Sequence, residues 1–286
     1  MGQRVFSNAI VPAIPIEEQT AIANYLDERI AKLDKLINNK EYQIEKLKEI
    51  RQIEINTTVT KGLNPKARMK NSAIKWLGDI PEHWEVKRIK NVCDVNPKKC
   101  DSGFSSDSTM PVVFLPMESV SESGEFDDSV RIPINELWSG FTYFKKGDIV
   151  LAKITPCFEN GKSACLDRLS TEIGFGTTEF HVLRPSSNRI FNRFIYYITK
   201  SEMFMQFGKA LMTGAAGQKR VPTEFIQIFK IAVPGRKEQI QITDYLDERI
   251  SKIDRLILNF VYEIEKLKEI RKIEIYNAVT GKIKVV

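Results

Sequence analysis

Two stretches of the chain place apolar residues at alternating steps of four and three. In residues 18–62 these are Leu26, Ile30, Leu33, Ile37, Ile44 and Leu47, with Lys40 standing at the one interrupted position. In residues 238–282 the series Leu246, Ile250, Ile253, Ile257, Phe260, Ile264 and Leu267 is unbroken. An apolar position every 3.5 residues marks the narrow seam of a coiled coil, whereas a helix lying on a globular core shows a broader stripe. Glu28 with Lys32, and Glu248 with Lys252, add i,i+4 charge pairs beside the seam. Gly62 and Gly281 stand where helices end, and Pro65 follows the first of them. The pattern predicts two helices of some 40 residues, each about 60 Å long.

The two stretches are copies of one another. At a constant offset of 220, 28 of 45 positions are identical without a gap. Fainter echoes precede them: Gly2-Gln3-Arg4-Val5 matches Gly217-Gln218-Lys219-Arg220-Val221, and Ile14-Pro15 matches Val233-Pro234. The chain therefore reads as the end of one repeat unit followed by a complete second unit. Two near-identical helices in one chain predict an intramolecular antiparallel pair. Lys40, where the second copy has Phe260, then weakens the seam half way along, fixes its register, or snorkels into water.

Between the helices, residues 75–235 change character. Short apolar runs rich in Val, Ile, Phe and Tyr (112–114, 148–151, 179–183 and 228–233) alternate with turn signals such as Lys146-Gly147-Asp148 and Glu159-Asn160-Gly161-Lys162. Residues 84–88 read as an opening strand and 192–211 as a single helix. The predicted fold class is α+β, a mixed α/β domain inserted between two long helices that form an antiparallel coiled coil. A linker at 63–74 is basic: Lys61 through Lys70 carries four basic residues and no acidic one.

Composition narrows the function classes. A chain of 286 residues with 42% hydrophobic and 28% charged residues has enough apolar content for real cores and is not disordered throughout. No apolar run approaches the roughly 18 residues of a membrane helix, and the first residues lack a signal-peptide core. The expectation is a cytoplasmic protein with no membrane association. A net charge of +6 is compatible with a polyanionic partner. The four cysteines (Cys93, Cys100, Cys157, Cys165) form no CxxC, and His83 and His181 are the only histidines, so no metal site is expected and the thiols read as idle.

Catalytic motifs are missing from the sequence. There is no GxGxxG, no P-loop, no Asn-Pro-Pro-Tyr and no GxSxG, so neither catalytic residues nor a bound cofactor are expected. Asp79 followed by Glu85-Val86-Lys87 superficially matches a nuclease metal string, but its alternation fits a strand. What recurs is a set of polar, glycine-bearing loops with a basic tilt, at 153–162, 176–179 and 213–220. From these we take Lys153, Thr155, Asn160, Lys162, Thr177, Thr178, Gln218, Lys219 and Arg220 as candidate DNA-facing residues. Lys219 and Arg220 suit phosphates, while Gln218 and Asn160 suit base edges. The same residue types also close turns, as Asn160-Gly161 does, and solvated loops look alike on residue type alone.

These segments resemble the specificity subunit of type I restriction–modification systems over nearly the whole chain. The resemblance rests on Trp76 to Arg88 (WLGDIPEHWEVKR), Gly147 to Lys162 (GDIVLAKITPCFENGK), Gly174 to Leu183 (GFGTTEFHVL) and Gly217 to Pro222 (GQKRVP). The two helices, each entered through Glu-Gln and Asp-Glu-Arg-Ile, complete the set. It implies a target recognition domain at 75–236, conserved coiled-coil helices at 18–62 and 237–286 (the latter with a C-terminal tail), and a remnant of a preceding recognition domain at 1–17. It further implies a non-catalytic subunit that reads one half of a split site in double-stranded DNA. Methyltransferase subunits and restriction subunits would be the protein partners, bringing S-adenosylmethionine, ATP and Mg. In that family a full subunit runs domain, helix, domain, helix; against that order, this sequence looks like a specificity subunit without its first recognition domain. A homodimer stays open as a further partnership. The competing reading is a coiled-coil scaffold or adaptor whose inserted domain binds protein; an enzyme with an unrecognised site is a third.

Overall fold

The computed structural model describes residues 14–285 except residue 216. Residues 1–13, most of the remnant expected at 1–17, lie outside the described residues. The elements in chain order are α1 (Ile16–Lys61), β1 (Met69–Asn71), β2 (Asp79–Pro81), β3 (Glu85–Arg88), β4 (Cys93–Val95), β5 (Pro111–Leu115), β6 (Arg131–Pro133), α2 (Ile134–Leu137), β7 (Thr142–Lys145), β8 (Ile149–Ala152), β9 (Ser163–Cys165), β10 (Ile173–Gly176) and β11 (Phe180–Pro185). They continue with α3 (Asn192–Lys200), α4 (Glu202–Ala210), α5 (Thr223–Ile228), β12 (Lys230–Val233) and α6 (Arg236–Val279). The chain divides into two compact units, Met1–Ile50 with Lys252–Val286, and Arg51–Ser251.

The first unit is a helix pair. Ile37, Ile44 and Ile264 form a buried cluster, and Ile257, Phe260 and Leu267 pack against it. None of the thirteen seam residues expected from the sequence is exposed. Partners run in opposite order along the two helices: Arg29 with Glu274 (3.0 Å), Asp34 with Arg271 (2.7 Å), then Lys40 with Glu263. The helices are therefore antiparallel. Lys40 pairs with Glu263 and holds its ammonium 5.1 Å from the Phe260 ring centroid, so the interruption stays at the seam with its charge satisfied. The helices end at Gly62 (φ +72°) and Gly281 (φ +70°), which adopt the left-handed conformation that a C-terminal glycine supplies without a Cβ penalty.

The second unit holds two four-stranded sheets, ordered β6-β5-β10-β7 and β4-β11-β8-β9, and two small antiparallel pairs, β1-β2 and β12-β3. Every pairing is antiparallel except β5 with β10. Strand alternation divides the side chains between two cores. Val113 and Leu115 of β5 join Phe144, Val150, Ala152, Phe180 and Val182 in the core shared by the two sheets. Val112 and Phe175 turn instead toward Ile134, Leu137, Tyr143 and Ile173, covering the other side of the first sheet.

Glycine sets the spacing of β10. A Cβ at Gly174 would lie 2.4 Å from Phe144 Cε2 and 2.9 Å from the Val113 carbonyl oxygen, and one at Gly176 would lie 2.7 Å from the Leu115 carbonyl oxygen. The Phe144 ring can rest against β10 only because these side chains are missing. Within this unit Asp247 of α6 accepts hydrogen bonds from Arg193 Nη2 (2.6 Å) and Tyr197 Oη (2.5 Å), tying α3 to the end of the long helix.

The single helix expected at 192–211 is two helices, broken at Ser201 (φ −67°, ψ 144°). The freed backbone groups find partners on α1: Gln52 Nε2 donates to the Lys200 carbonyl (3.2 Å), and Asn56 Oδ1 accepts from the Glu202 N–H (2.8 Å). Those two side chains offset what the break costs, and they lie some 145 residues away in sequence, out of reach of local pattern reading. The run expected as strand at 228–233 is likewise divided, α5 closing at Ile228 before β12 opens at Lys230.

Candidate nucleic-acid interface

Three of the candidate segments are joined by backbone hydrogen bonds. Lys153 follows β8, Thr177–Glu179 joins β10 to β11, and residues 213–221 connect α4 to α5. Lys153 N–H donates to the Glu179 carbonyl (2.9 Å), and Val221 N–H donates to the Lys153 carbonyl (2.8 Å). Thr155 N–H reaches the Lys219 carbonyl (3.0 Å), while Thr213 and Arg220 exchange both bonds (3.0 and 2.8 Å). The Thr155 hydroxyl completes the joint, accepting from Lys219 N–H (3.1 Å) and donating to the Gly217 carbonyl (3.1 Å). Seven candidates, Lys153, Thr155, Thr177, Thr178, Gln218, Lys219 and Arg220, thus sit on one joined set of loops.

The other two have their side chains elsewhere. Lys162 Nζ donates to the Met117 carbonyl (3.3 Å). Asn160 lines a cavity of about 290 Å³ with Gln52, Glu122, Lys200 and Glu202.

Within the joined loops, Arg220 does not stand alone. Its Nε and Nη2 donate to the two Glu179 oxygens at 2.9 and 2.8 Å, with the arginine side chain 45% exposed. The Arg220 hydrogen bond is the main cause holding the Glu179 carboxyl below its ordinary range. Sequence reasoning missed Glu179 as a functional candidate, because a separation of 41 positions from Arg220 hides the pairing. Gln218 and Lys219 are exposed, as is Thr178.

His181 anchors the underside of the site. Asn96 Nδ2 donates to its Nδ1 (3.2 Å), leaving Nε2–H for the Val221 carbonyl (2.9 Å). Asn96 Oδ1 also accepts from Val182 N–H (2.9 Å). Burial pushes the His181 pKa down, so the ring is held neutral as a clamp between β11 and residue 221. Its neighbour in chemistry is Asp148, whose buried carboxylate takes Arg184 Nε and Nη2 at 2.9 and 2.7 Å.

Among the described residues, no group of three or more His, Cys, Asp or Glu side chains could hold a metal. Glu85 of the nuclease-like string pairs with Lys87 (2.8 Å) on β3. Cys93, Cys157 and Cys165 form no disulfide, and burial pushes the Cys165 thiol up to about 12. No described helix is long and apolar enough to cross a membrane.

Residues 81–261, the sheets, the joined loops and half of α6, match the family described as the type I restriction modification DNA specificity domain. The chain belongs to that family. The matched domain is a DNA specificity domain and not a catalytic one. Relatives of this type I specificity chain include the EcoAI specificity subunit of Escherichia coli, 39% identical over 62% of this chain and 30% of that protein. The MjaVIII specificity subunit of Methanocaldococcus jannaschii is 28% identical over the whole chain and 64% of its own length. The chain thus spans between about a third and two thirds of the curated relatives it matches. Its fold is shared with a chain of a type I R-M system (TM-score 0.66, 14% identity, 96% of this chain and 62% of that one). The HsdS subunit from Thermoanaerobacter tengcongensis shares it at TM-score 0.51, with 14% identity, 96% of this chain and 60% of that one.

Proposed function

We propose that this chain is the DNA-recognition subunit of a type I restriction–modification complex, reading one half-site through the joined loops at 153–155, 177–179 and 213–221. The observation that carries the reading is the convergence of these loops, which puts Lys153, Lys219 and Arg220 beside Gln218, Thr177 and Thr178 within the family's DNA specificity domain. Lysines positioned there neutralise phosphates, and the amide and hydroxyl groups address base edges.

The antiparallel helix pair fits a scaffolding role toward methyltransferase and restriction subunits. Those partners would supply S-adenosylmethionine, ATP and Mg, and the chain itself would transfer no methyl group and cut no DNA, acting in the cytoplasm. A second copy of the chain is a candidate reader for the other half-site, which analytical ultracentrifugation of the protein with and without DNA resolves.

Selection from a random duplex library, with the methyltransferase subunit present, tests the reading. A short enriched half-site is the expected outcome. Retention of the duplexes without enrichment of any sequence, or no retention at all, contradicts it.

A further inference from the structure

Resting on the DNA-reading function proposed above, we infer that Arg220 reads a guanine through its outer guanidinium edge, with Glu179 as the positioning residue that fixes that edge. A guanidinium carries five N–H donors in a fixed plane. Glu179 occupies one side of it, taking Nε at 2.9 Å and Nη2 at 2.8 Å. Among the described residues, the remaining edge, Nη1 with the second hydrogen of Nη2, meets only a long contact of 3.4 Å to the Gln218 carbonyl. Two parallel donors on an exposed edge match the O6 and N7 acceptors that guanine alone presents together in the major groove.

Both halves of the pair are anchored by backbone. The Glu179 carbonyl is held by Lys153 N–H, and Glu179 N–H donates to Thr177 Oγ1 (3.3 Å). Arg220 is paired on both backbone groups with Thr213, and bridges to Ile154. The guanidinium is therefore oriented before any ligand arrives, which lowers the ordering cost of binding.

Charge separates this role from a phosphate contact. The Glu179 carboxylate offsets the Arg220 charge at contact distance, so the pair presents directional donors with little net attraction for a polyanion. Lys219, one residue away and exposed, has no ion pair or side-chain hydrogen bond among the described residues and keeps its charge for the backbone of DNA. The pair contributes little to folding, as exposed ion pairs generally do.

The test is a duplex series in which each base pair of the selected half-site is replaced in turn, bound by the full chain and by three variants: Arg220→Lys, Arg220→Ala and Glu179→Gln. Wild-type protein should prefer guanine at one position by roughly 5- to 150-fold, the range corresponding to 1–3 kcal/mol for a bidentate contact. Both Arg220 variants should bring that one preference to within about twofold while leaving the others intact. Glu179→Gln should weaken the same preference without abolishing it. Thermal melting establishes that the variants fold, and Arg220→Lys serves if the alanine variant does not. A uniform loss at every position with a shallower salt dependence makes Arg220 a phosphate contact and overturns the inference, as does an unchanged base profile in both Arg220 variants. If wild-type protein shows no base preference anywhere, the DNA-reading function falls with it.

Discussion

Lys40 and Phe260 occupy the same position in the two repeats and meet each other, with the Lys40 ammonium 5.1 Å from the Phe260 ring centroid. In an antiparallel pair of identical helices, equal positions come together only at the centre, so this contact marks the midpoint of the register. The same symmetry recurs away from it. Tyr25 and Arg29 converge on Glu274 in one unit, and Tyr245 and Arg249 on Glu54 in the other, each residue displaced by 220 from its counterpart.

The register can be checked by cysteine cross-linking. A pair at positions 29 and 274 should link efficiently within one chain. A pair at 33 and 253, equal positions lying off the midpoint, should not, since about 15 residues of rise, roughly 22 Å, separate such sites. Efficient linking of 33 to 253 would indicate a parallel arrangement.

Arg184→Met should lower stability by about 3 kcal/mol in urea unfolding, because it leaves the Asp148 carboxylate buried without its partner. Burial already pushes the Asp148 pKa up, against the pull of Arg184. The double variant Asp148→Ala/Arg184→Met should be more stable than Arg184→Met alone. A double variant that is less stable would mean that the pair is not the source of the loss.

His181 gives the domain a pH dependence whose sign follows from its depressed pKa. The folded state favours neutral imidazole, so the contribution is full above the unfolded value of about 6.5 and is lost as pH falls below it toward the folded pKa. Stability should decline between pH 7.5 and 5 with a slope of at most about 1.4 kcal/mol per unit from this group. Urea midpoints of His181→Gln should change less over the same interval; an equal slope would assign the effect to other groups.

Gly174→Ala should destabilise the domain by about 1–3 kcal/mol through overlap with the Phe144 ring and the Val113 carbonyl. Combining it with Phe144→Leu should recover part of the loss in thermal melts. Because β10 leads directly into Thr177–Glu179, the single variant should also weaken DNA binding.

How legible the molecule was in its sequence depended on the range of the interactions. The seam from Leu26 to Leu47 and from Leu246 to Leu267 could be read because helical periodicity is local, and the repeat supplied the partner. The three loops could be recognised one at a time from Lys, Gly, Thr and Asn content. Their joining could not, since the bonds from Lys153 to Glu179 and to Val221 depend on how β8, β10 and β11 are placed by two sheets. The break at Ser201 was hidden for the same reason, its stabilising partners Gln52 and Asn56 lying on α1. Nor does residue type show that Lys162 Nζ meets the Met117 carbonyl or that Asn160 lines a separate cavity, since both placements depend on distant packing.

The salt dependence of DNA affinity for Lys153→Ala/Lys219→Ala tests the central claim most directly, that the joined loops form the DNA face. Removing one lysine–phosphate interaction should reduce the magnitude of the negative slope of log K against log[salt] by about 0.9, so the slope of the double variant should be shallower than wild type by about 1.8. Affinity should drop alike for all sequences, with the base preferences unchanged. A folded double variant with wild-type affinity and an unaltered slope would place the DNA on another face of the domain.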